Sequence, residues 1–360
     1  MAAPAEPGAP GRRGRAPDTV GATLLAGCAV WALISAAGRE ARPEGVLLAV
    51  LAVAAGYAVG RICGSLVPVA TASAMALVWL AGAVASSQEA LGTAVSVTSP
   101  PGDSGAVAAL LVLGGGAACC AAAGARRASG RLALRLLAVA IAGCALLLGS
   151  VVGFLAALGV LLCSLAAARM RRRFLGLTGY ALVTVVVVGG SWAVAERALP
   201  EGLTVSLEGQ LTRHRVELWH DAAELARERP GRGAGPDRFG DLSPTAARSL
   251  DSDGKPHSAP LQQAAEQGVV GVVLLGALYG WSLYALGRSP CSTPVILTAG
   301  AALTALAGLA TVGNALSFTQ VTVGAGLLAG LATARPAAGD GPDEPPDRAG
   351  RAPAGATAEA

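Results

Sequence analysis

The side chains able to do chemistry in this sequence are gathered in one polar stretch, Glu196 to Gln267, which holds all three histidines, His214, His220 and His257. A histidine titrates near neutrality and can take a proton from a hydroxyl. His257 lies between Pro256 and Pro260, where a short helix through Leu261, Gln262 and Glu266 begins, so its backbone is restricted. Two readings follow. Either His257 is a general base with Glu266 orienting a partner near the membrane surface, or it is an ordinary loop histidine beside a hydrated glutamate.

A second candidate is Arg215. From Arg213 to Arg229 the pattern has helical period: Val216, Leu218, Trp219, Ala222, Ala223, Leu225 and Ala226 fall on one half of the wheel, and Glu217, Asp221, Glu224 and Glu228 on the other. Arg215 projects from the apolar half, away from every acid of its own helix. A guanidinium there needs an anion, or else it caps a carbonyl or grips a lipid headgroup. Arg213 and Arg227 border the acidic stripe and read as surface pairs.

The third is the run Pro230-Gly231-Arg232-Gly233-Ala234-Gly235-Pro236-Asp237-Arg238-Phe239. Gly233 and Gly235 could bring backbone N–H groups against a phosphate, with Arg238 as a second contact, or the run is a connector with a solvated arginine. No strand precedes it, which excludes a dinucleotide fingerprint. The histidines lack metal-ligand spacing, and Asp251-x-Asp253 sits in a Ser, Asp and Gly turn that reads as solvated loop. No metal and no cofactor is expected.

The elements that must hold these residues are membrane helices. The chain has 360 residues, 53% of them hydrophobic and only 14% charged, far from the composition of a soluble domain. A bilayer core about 30 Å thick needs roughly 20 apolar residues per helix. Runs near that length recur at 20–37, 45–60, 66–85, 105–125, 132–149, 151–168, 174–195, 268–287, 294–313 and 315–333, without strand-like alternation. The expected fold is all-α, a polytopic membrane protein of about ten transmembrane helices with one large extracytoplasmic loop containing an amphipathic helix. The turns near Gly149-Ser150 and Gly313-Asn314 are very short, and either could hide a single longer helix; Leu132 to Ala168 is too long for one modestly tilted span, so a hairpin is the better reading there.

Residues 1–18 and 335–360, rich in Ala, Pro and Gly, read as disordered cytoplasmic tails. Between them come spans one to seven (19–195), the extracytoplasmic loop (196–267) and spans eight to ten (268–334). Arg61, Arg126, Arg127, Arg131, the group Arg169 to Arg173, Arg288 and Arg335 mark the cytoplasmic side, which places both termini inside. Arg39 and Arg42, in the first external loop, run against that bias. None of the seven cysteines lies in the large loop, so no disulfide framework is expected there.

Three pieces of the loop, in order, resemble the superfamily of O-antigen ligases and O-antigen polymerases: Arg215-x-x-x-Trp219, Pro230-x-x-Gly233-x-Gly235-Pro236-x-x-Phe239, and His257-Ser258-x-x-Leu261-Gln262-x-x-x-Glu266-x-Gly268-x-x-Gly271. The resemblance covers roughly Gly143 to Leu286. Two positions depart from it: Ser150-Val151-Val152 stands where the family often has Ser-Arg-Gly, and Ser258 where Asn often follows the histidine. The resemblance implies a glycosyltransferase of the bacterial plasma membrane that moves an oligosaccharide from a polyprenyl-pyrophosphate carrier to a glycan or lipid acceptor hydroxyl at the outer face. It needs neither metal nor nucleic acid. In that scheme His257 is the base, Arg215 and Arg238 face the departing pyrophosphate, Glu266 assists, and Gly233, Gly235 and Trp219 shape the substrate site. The competing readings are a transporter or flippase of lipid-linked sugars, which would need polar groups within the spans, and a family member without catalysis that serves as an assembly partner.

Overall fold

The computed structural model describes residues 15–92, 103–197, 213–248 and 253–335. These fold into thirteen α-helices with no strand among the described residues. Seven helices precede the large loop: α1 (Arg15–Ala36), α2 (Glu44–Leu66), α3 (Pro68–Gly92), α4 (Asp103–Gly124), α5 (Ala128–Leu147), α6 (Val151–Ala167) and α7 (Arg173–Ala195). The loop carries α8 (Arg213–Glu228), α9 (Phe239–Leu242) and α10 (Pro244–Arg248). Three helices follow: α11 (Ala259–Gly287), α12 (Thr293–Val312) and, after a 3-10 turn over Ala315–Ser317, α13 (Thr319–Thr333).

All ten expected apolar stretches are helical. Eight are long and apolar enough to cross a membrane, whereas α6 and α13 are shorter. The shortening has local causes. Gly149 takes φ +75 and Ser150 caps α6 by accepting from the N–H of Gly153, so the chain turns there rather than continuing α5. Likewise the 3-10 turn takes up the first residues of the last expected span. The protein is therefore a multi-pass membrane protein whose suspected hairpins are real turns.

The centre of the bundle is α4, which is buried along most of its length and packs on α3, α5, α6, α12 and α13. Its Ala, Gly and Cys residues leave room for close neighbours. The tightest pair is α2 with α13. A Cβ added at Gly60 would lie 2.2 Å from the carbonyl oxygen of Leu327, and one at Gly330 would lie 2.2 Å from that of Tyr57. Only glycine permits that approach.

At the loop end the ends of α7 and α11 bear a small core of their own. Leu218, Trp219, Ala222 and Ala223 of α8 pack with Val194, Ala195, Phe239, Ala246, Leu261 and Ala265. The amphipathic wheel read from the sequence thus faces protein, and Glu217, Glu224 and Glu228 face solvent. Asp221 is the exception on its stripe. It accepts from Ser243 Oγ at 2.6 Å and from the N–H of Thr245 at 3.0 Å, and so fixes the start of α10.

Candidate active site

The site is built on a break in α11. Inside this helix Gly268 has φ 71 and ψ −165, which divides it into a segment before the break and a span of ordinary length after it. Residues 259–267 therefore belong to the loop. Breaking a helix frees backbone groups, and here they are taken up by distant chain. The carbonyl of Ala265 accepts from the N–H of Ala234 at 2.8 Å, that of Glu266 from Gly235 at 2.8 Å, and that of Gln267 from Trp31 Nε1 at 3.0 Å. In return the N–H of Val269 donates to Pro230 at 2.9 Å.

This accounts for the glycine run. Gly233 takes φ +64, and a Cβ there would sit 2.3 Å from the carbonyl carbon of Glu266. Its N–H donates to the Arg229 carbonyl at 3.0 Å. The N–H groups of Gly233 and Gly235 are thus engaged with carbonyls, so the glycines serve the docking of two backbones rather than forming an open cradle of donors.

The first loop closes over the same place. Arg39 donates to the Gly233 carbonyl at 2.6 Å, the N–H of Arg42 to Pro236 at 3.1 Å, and Arg232 to the carbonyls of Ile34 and Ala37. Arg238 donates to the Glu40 carbonyl at 2.7 Å and lies 3.6 Å from the Glu40 carboxylate and 3.5 Å from that of Asp241. Of the arginines that ran against the charge bias, Arg39 is held by its guanidinium and Arg42 by its backbone N–H. Residues 37–43 and the large loop lie at one end of the bundle.

Beneath this cover lies a cavity of about 630 Å³. Its mouth is polar, with Arg42, Lys255, Asp237, Gln262, Gln263 and Glu266. Its shaft is apolar and descends between α2, α11, α12 and α13, from Glu44 to Tyr57 along α2, roughly 20 Å at 1.5 Å per residue. Glu266 is only 3% exposed. Burial pushes its carboxyl up to about 7, moderated by the backbone N–H of Asp237 and the amide of Gln262. Beside it Gln267 is buried with no partner for its Nε2.

The other expected site residues stand around this cavity rather than in its wall. Arg215 is half-buried and donates from Nη1 to the carbonyl of Val312 at 3.1 Å. Burial lowers its pKa, and among the described residues no carboxylate pairs with it. Trp219, 1% exposed, is core. It anchors α8 four residues from Arg215. His257 is buried at φ +53, with Nε2 3.2 Å from Asp253 Oδ1. Asp253 also accepts from Asn314 Nδ2 at 3.2 Å, so it is no solvated loop acid, contrary to the reading of its turn. Burial would raise its pKa, but His257 and the Lys255 N–H outweigh this and leave it below the ordinary carboxylate value. Asp251 lies outside the described residues. His214 is exposed, and His220 Nδ1 lies 3.1 Å from the Ala195 carbonyl at the end of α7.

Val312 and Asn314 are two residues apart, at most about 7 Å along the chain. The turn after α12 therefore gathers Arg215 from α8 and the Asp253–His257 pair from the loop, and its Gly313, Asn314 and Ser317 line the cavity. Arg42 and Lys255 at the mouth were not legible as site residues. Neither has a motif, and only the fold of the first loop over the glycine run brings Arg42 there. Among the described residues no group of His, Cys, Asp and Glu side chains is gathered as metal ligands.

Residues 136–276, from α5 to the middle of α11, match the family of O-antigen ligases. Over this segment the chain is similar to the O-antigen ligases. No curated protein and no solved structure matches it. The similarity supports an O-antigen ligase-like role in polysaccharide assembly, within the membrane and on a lipid-linked glycan. The matched segment holds Arg215, Arg238, His257 and Glu266, but ends before the turn that carries Val312, Asn314 and Ser317.

Proposed function

We propose that this O-antigen ligase-like protein transfers an oligosaccharide from a polyprenyl-pyrophosphate carrier to the hydroxyl of a glycan or lipid acceptor, on the outer face of the bacterial plasma membrane. The observation that carries the reading is the cavity: a charged mouth above a long apolar shaft suits an amphiphile with a diphosphate head and a hydrocarbon tail. With both termini cytoplasmic, as the arginine distribution indicates, the mouth opens outward.

In this reading His257 takes the proton from the acceptor hydroxyl, whose oxygen attacks the anomeric carbon. The bond from that carbon to the carrier oxygen breaks, and its electron pair leaves with the polyprenyl pyrophosphate. Arg215, a cation without a carboxylate, faces the growing negative charge. Arg42 and Lys255 steer the diphosphate at the mouth. Arg238, its charge shared with Glu40 and Asp241, holds the first loop over the site, and Gly233, Gly235 and Trp219 fix the surrounding backbone. Glu266, neutral below about pH 7, offers a hydrogen-bond donor to the sugar. Each step is supplied by side chains, without a divalent metal or a nucleotide sugar.

One feature of the chain favours a second reading, an assembly partner without catalysis. Val151 and Val152, where the family often has arginine and glycine, are exposed and do not line the cavity. Purified protein in proteoliposomes, given a lipid-linked oligosaccharide and an acceptor, separates the readings. Transfer releases free polyprenyl pyrophosphate together with a lengthened acceptor, and a flippase moves the intact donor across the bilayer. If neither product forms while the donor still binds, the partner reading stands and transfer is overturned.

A further inference from the structure

Asp253 is held from three sides. Its Oδ1 faces His257 Nε2 at 3.2 Å and accepts from the N–H of Lys255 at 3.2 Å, while Oδ2 accepts from Asn314 Nδ2 at 3.2 Å. The Oδ1 of Asn314 accepts in turn from Ser317 Oγ. His257 is fixed at its own end too, since its φ of +53 is a backbone state that non-glycine residues rarely adopt, and its side chain is only 9% exposed. Its second ring nitrogen, Nδ1, is buried with no protein partner. An ionised carboxylate only accepts, so the imidazole nitrogen facing it carries the proton. The lone pair then lies on the nitrogen without a partner.

We propose that Asp253 is the positioning residue for His257: it takes the Nε2–H, leaves the lone pair on Nδ1, and steadies the imidazolium formed when Nδ1 accepts the proton of the acceptor hydroxyl, with Asn314 and Ser317 holding Asp253 in place. The proposal rests on His257 being the base of the transfer reaction. Asp253 stays ionised throughout, and only the one proton moves. The charged groups coupled to the pair are Lys255, beside Asp253, and Glu266, which Lys255 also reaches. The contributions from the turn after α12 are neutral. Nothing in the stretch matched to the family includes this turn, so the arrangement is a property of the tertiary structure.

Two measurements on the full chain in nanodiscs test it. Nitrogen-15 spectra of histidine-labelled protein, with the His257 signals assigned by their loss in His257→Gln, are expected to show the Nε2–H tautomer. Asp253→Asn, which can present an amide N–H to Nε2, is expected to switch it to Nδ1–H. In the transfer assay Asp253→Asn is expected to lower kcat about 100-fold or more, by the loss that the wrong tautomer causes in aspartate–histidine pairs. Its KM for the lipid-linked donor should stay within about threefold, because the change is aimed at the proton and not the head group. Asp253→Glu is expected to restore at least a tenth of the lost rate. Asn314→Ala, which leaves both partners in place, should lower kcat about tenfold, and keeps the test alive if Asp253→Asn fails to fold.

An unchanged tautomer in Asp253→Asn, or a kcat within threefold of the parent, overturns the proposal. Full activity in His257→Gln overturns the underlying role of His257 as base, a different result from an inactive His257→Gln beside an active Asp253→Asn, which overturns only the part given to Asp253.

Discussion

Arg215 on α8 donates to the carbonyl of Val312, the last residue of α12, across 97 positions of sequence. This bond ties the amphipathic helix of the loop to the turn that also grips Asp253. A carbonyl cap and an anion site, the two roles open to Arg215 from its position on the wheel, are compatible. A guanidinium has five donors, and the bond to Val312 uses one.

Arg215→Ala is therefore expected to act on both counts. Loss of the bond should cost about 1–3 kcal/mol of stability, read as a lower thermal midpoint in detergent, with membrane insertion intact. Transfer should fall about 100-fold or more, the usual size of a lost electrostatic contact to developing charge. Arg215→Lys should recover more stability than activity, since an ammonium is a single point charge. Full activity in Arg215→Ala would remove Arg215 from the reaction.

The mouth cations should behave differently. Arg42→Ala combined with Lys255→Ala is expected to raise KM for the lipid-linked donor about tenfold while kcat changes less, as for groups that bind ground state and transition state alike. The check is initial-rate kinetics at fixed ionic strength. Equal falls in kcat and kcat/KM with KM unchanged would place these cations at the reacting bond instead.

Gly268 and Gly233 carry the broken helix. A Cβ at Gly268 would meet the Gly231 carbonyl oxygen at 2.5 Å, and both residues have positive φ. Gly268→Ala and Gly233→Ala should each destabilise the loop end by about 3 kcal/mol or more, as strain and overpacking add. Limited proteolysis between Glu228 and Ala259 would show it. Gly280→Ala, in the same helix with nothing within 4 Å, should be neutral.

Burial holds the Glu266 carboxyl at about 7 in the folded protein, above its ordinary 4.5. The sign follows from proton binding: between pH 4.5 and 7 the folded state holds a proton that the unfolded state has lost, so stability falls as pH rises through this window. The effect is on the order of 3 kcal/mol. Glu266→Gln should flatten the fall of the thermal midpoint with pH and leave the midpoint higher than that of the parent above pH 7. A parent whose midpoint does not fall between pH 5 and 7 would show that this carboxyl is solvated.

The close pair of α2 and α13 forms one wall of the cavity, so packing there should reach the site. Gly60→Leu would drive a side chain into the Leu327 carbonyl and is expected to cost more than about 2 kcal/mol. Its readouts are reduced accumulation in the membrane and weaker donor binding in the protein that remains.

The sequence by itself determined the ten apolar stretches, the position of the polar stretch, the apolar face of α8 and the hairpin at Gly149, while it left the turn at Gly313 open against one longer helix. These are written in local hydropathy and helical period, which record whether each residue meets water, lipid or protein. Local pattern also singled out candidates: Arg215, left without an acid on its own helix, and His257 with Glu266, at a restricted helix entrance between two prolines. Which partner each one meets was not legible. The pairing of Asp253 with His257, the grip of Asn314 from 61 positions away, the arrival of Arg42 at the cavity and the docking of the glycine run on a broken helix join distant segments. Such contacts arise when the bundle closes, and their register depends on backbone packing at Gly233 and Gly268 and on the cap that Arg215 places on α12. Periodicity tells a side chain which way to face, and only the closed bundle supplies what it faces.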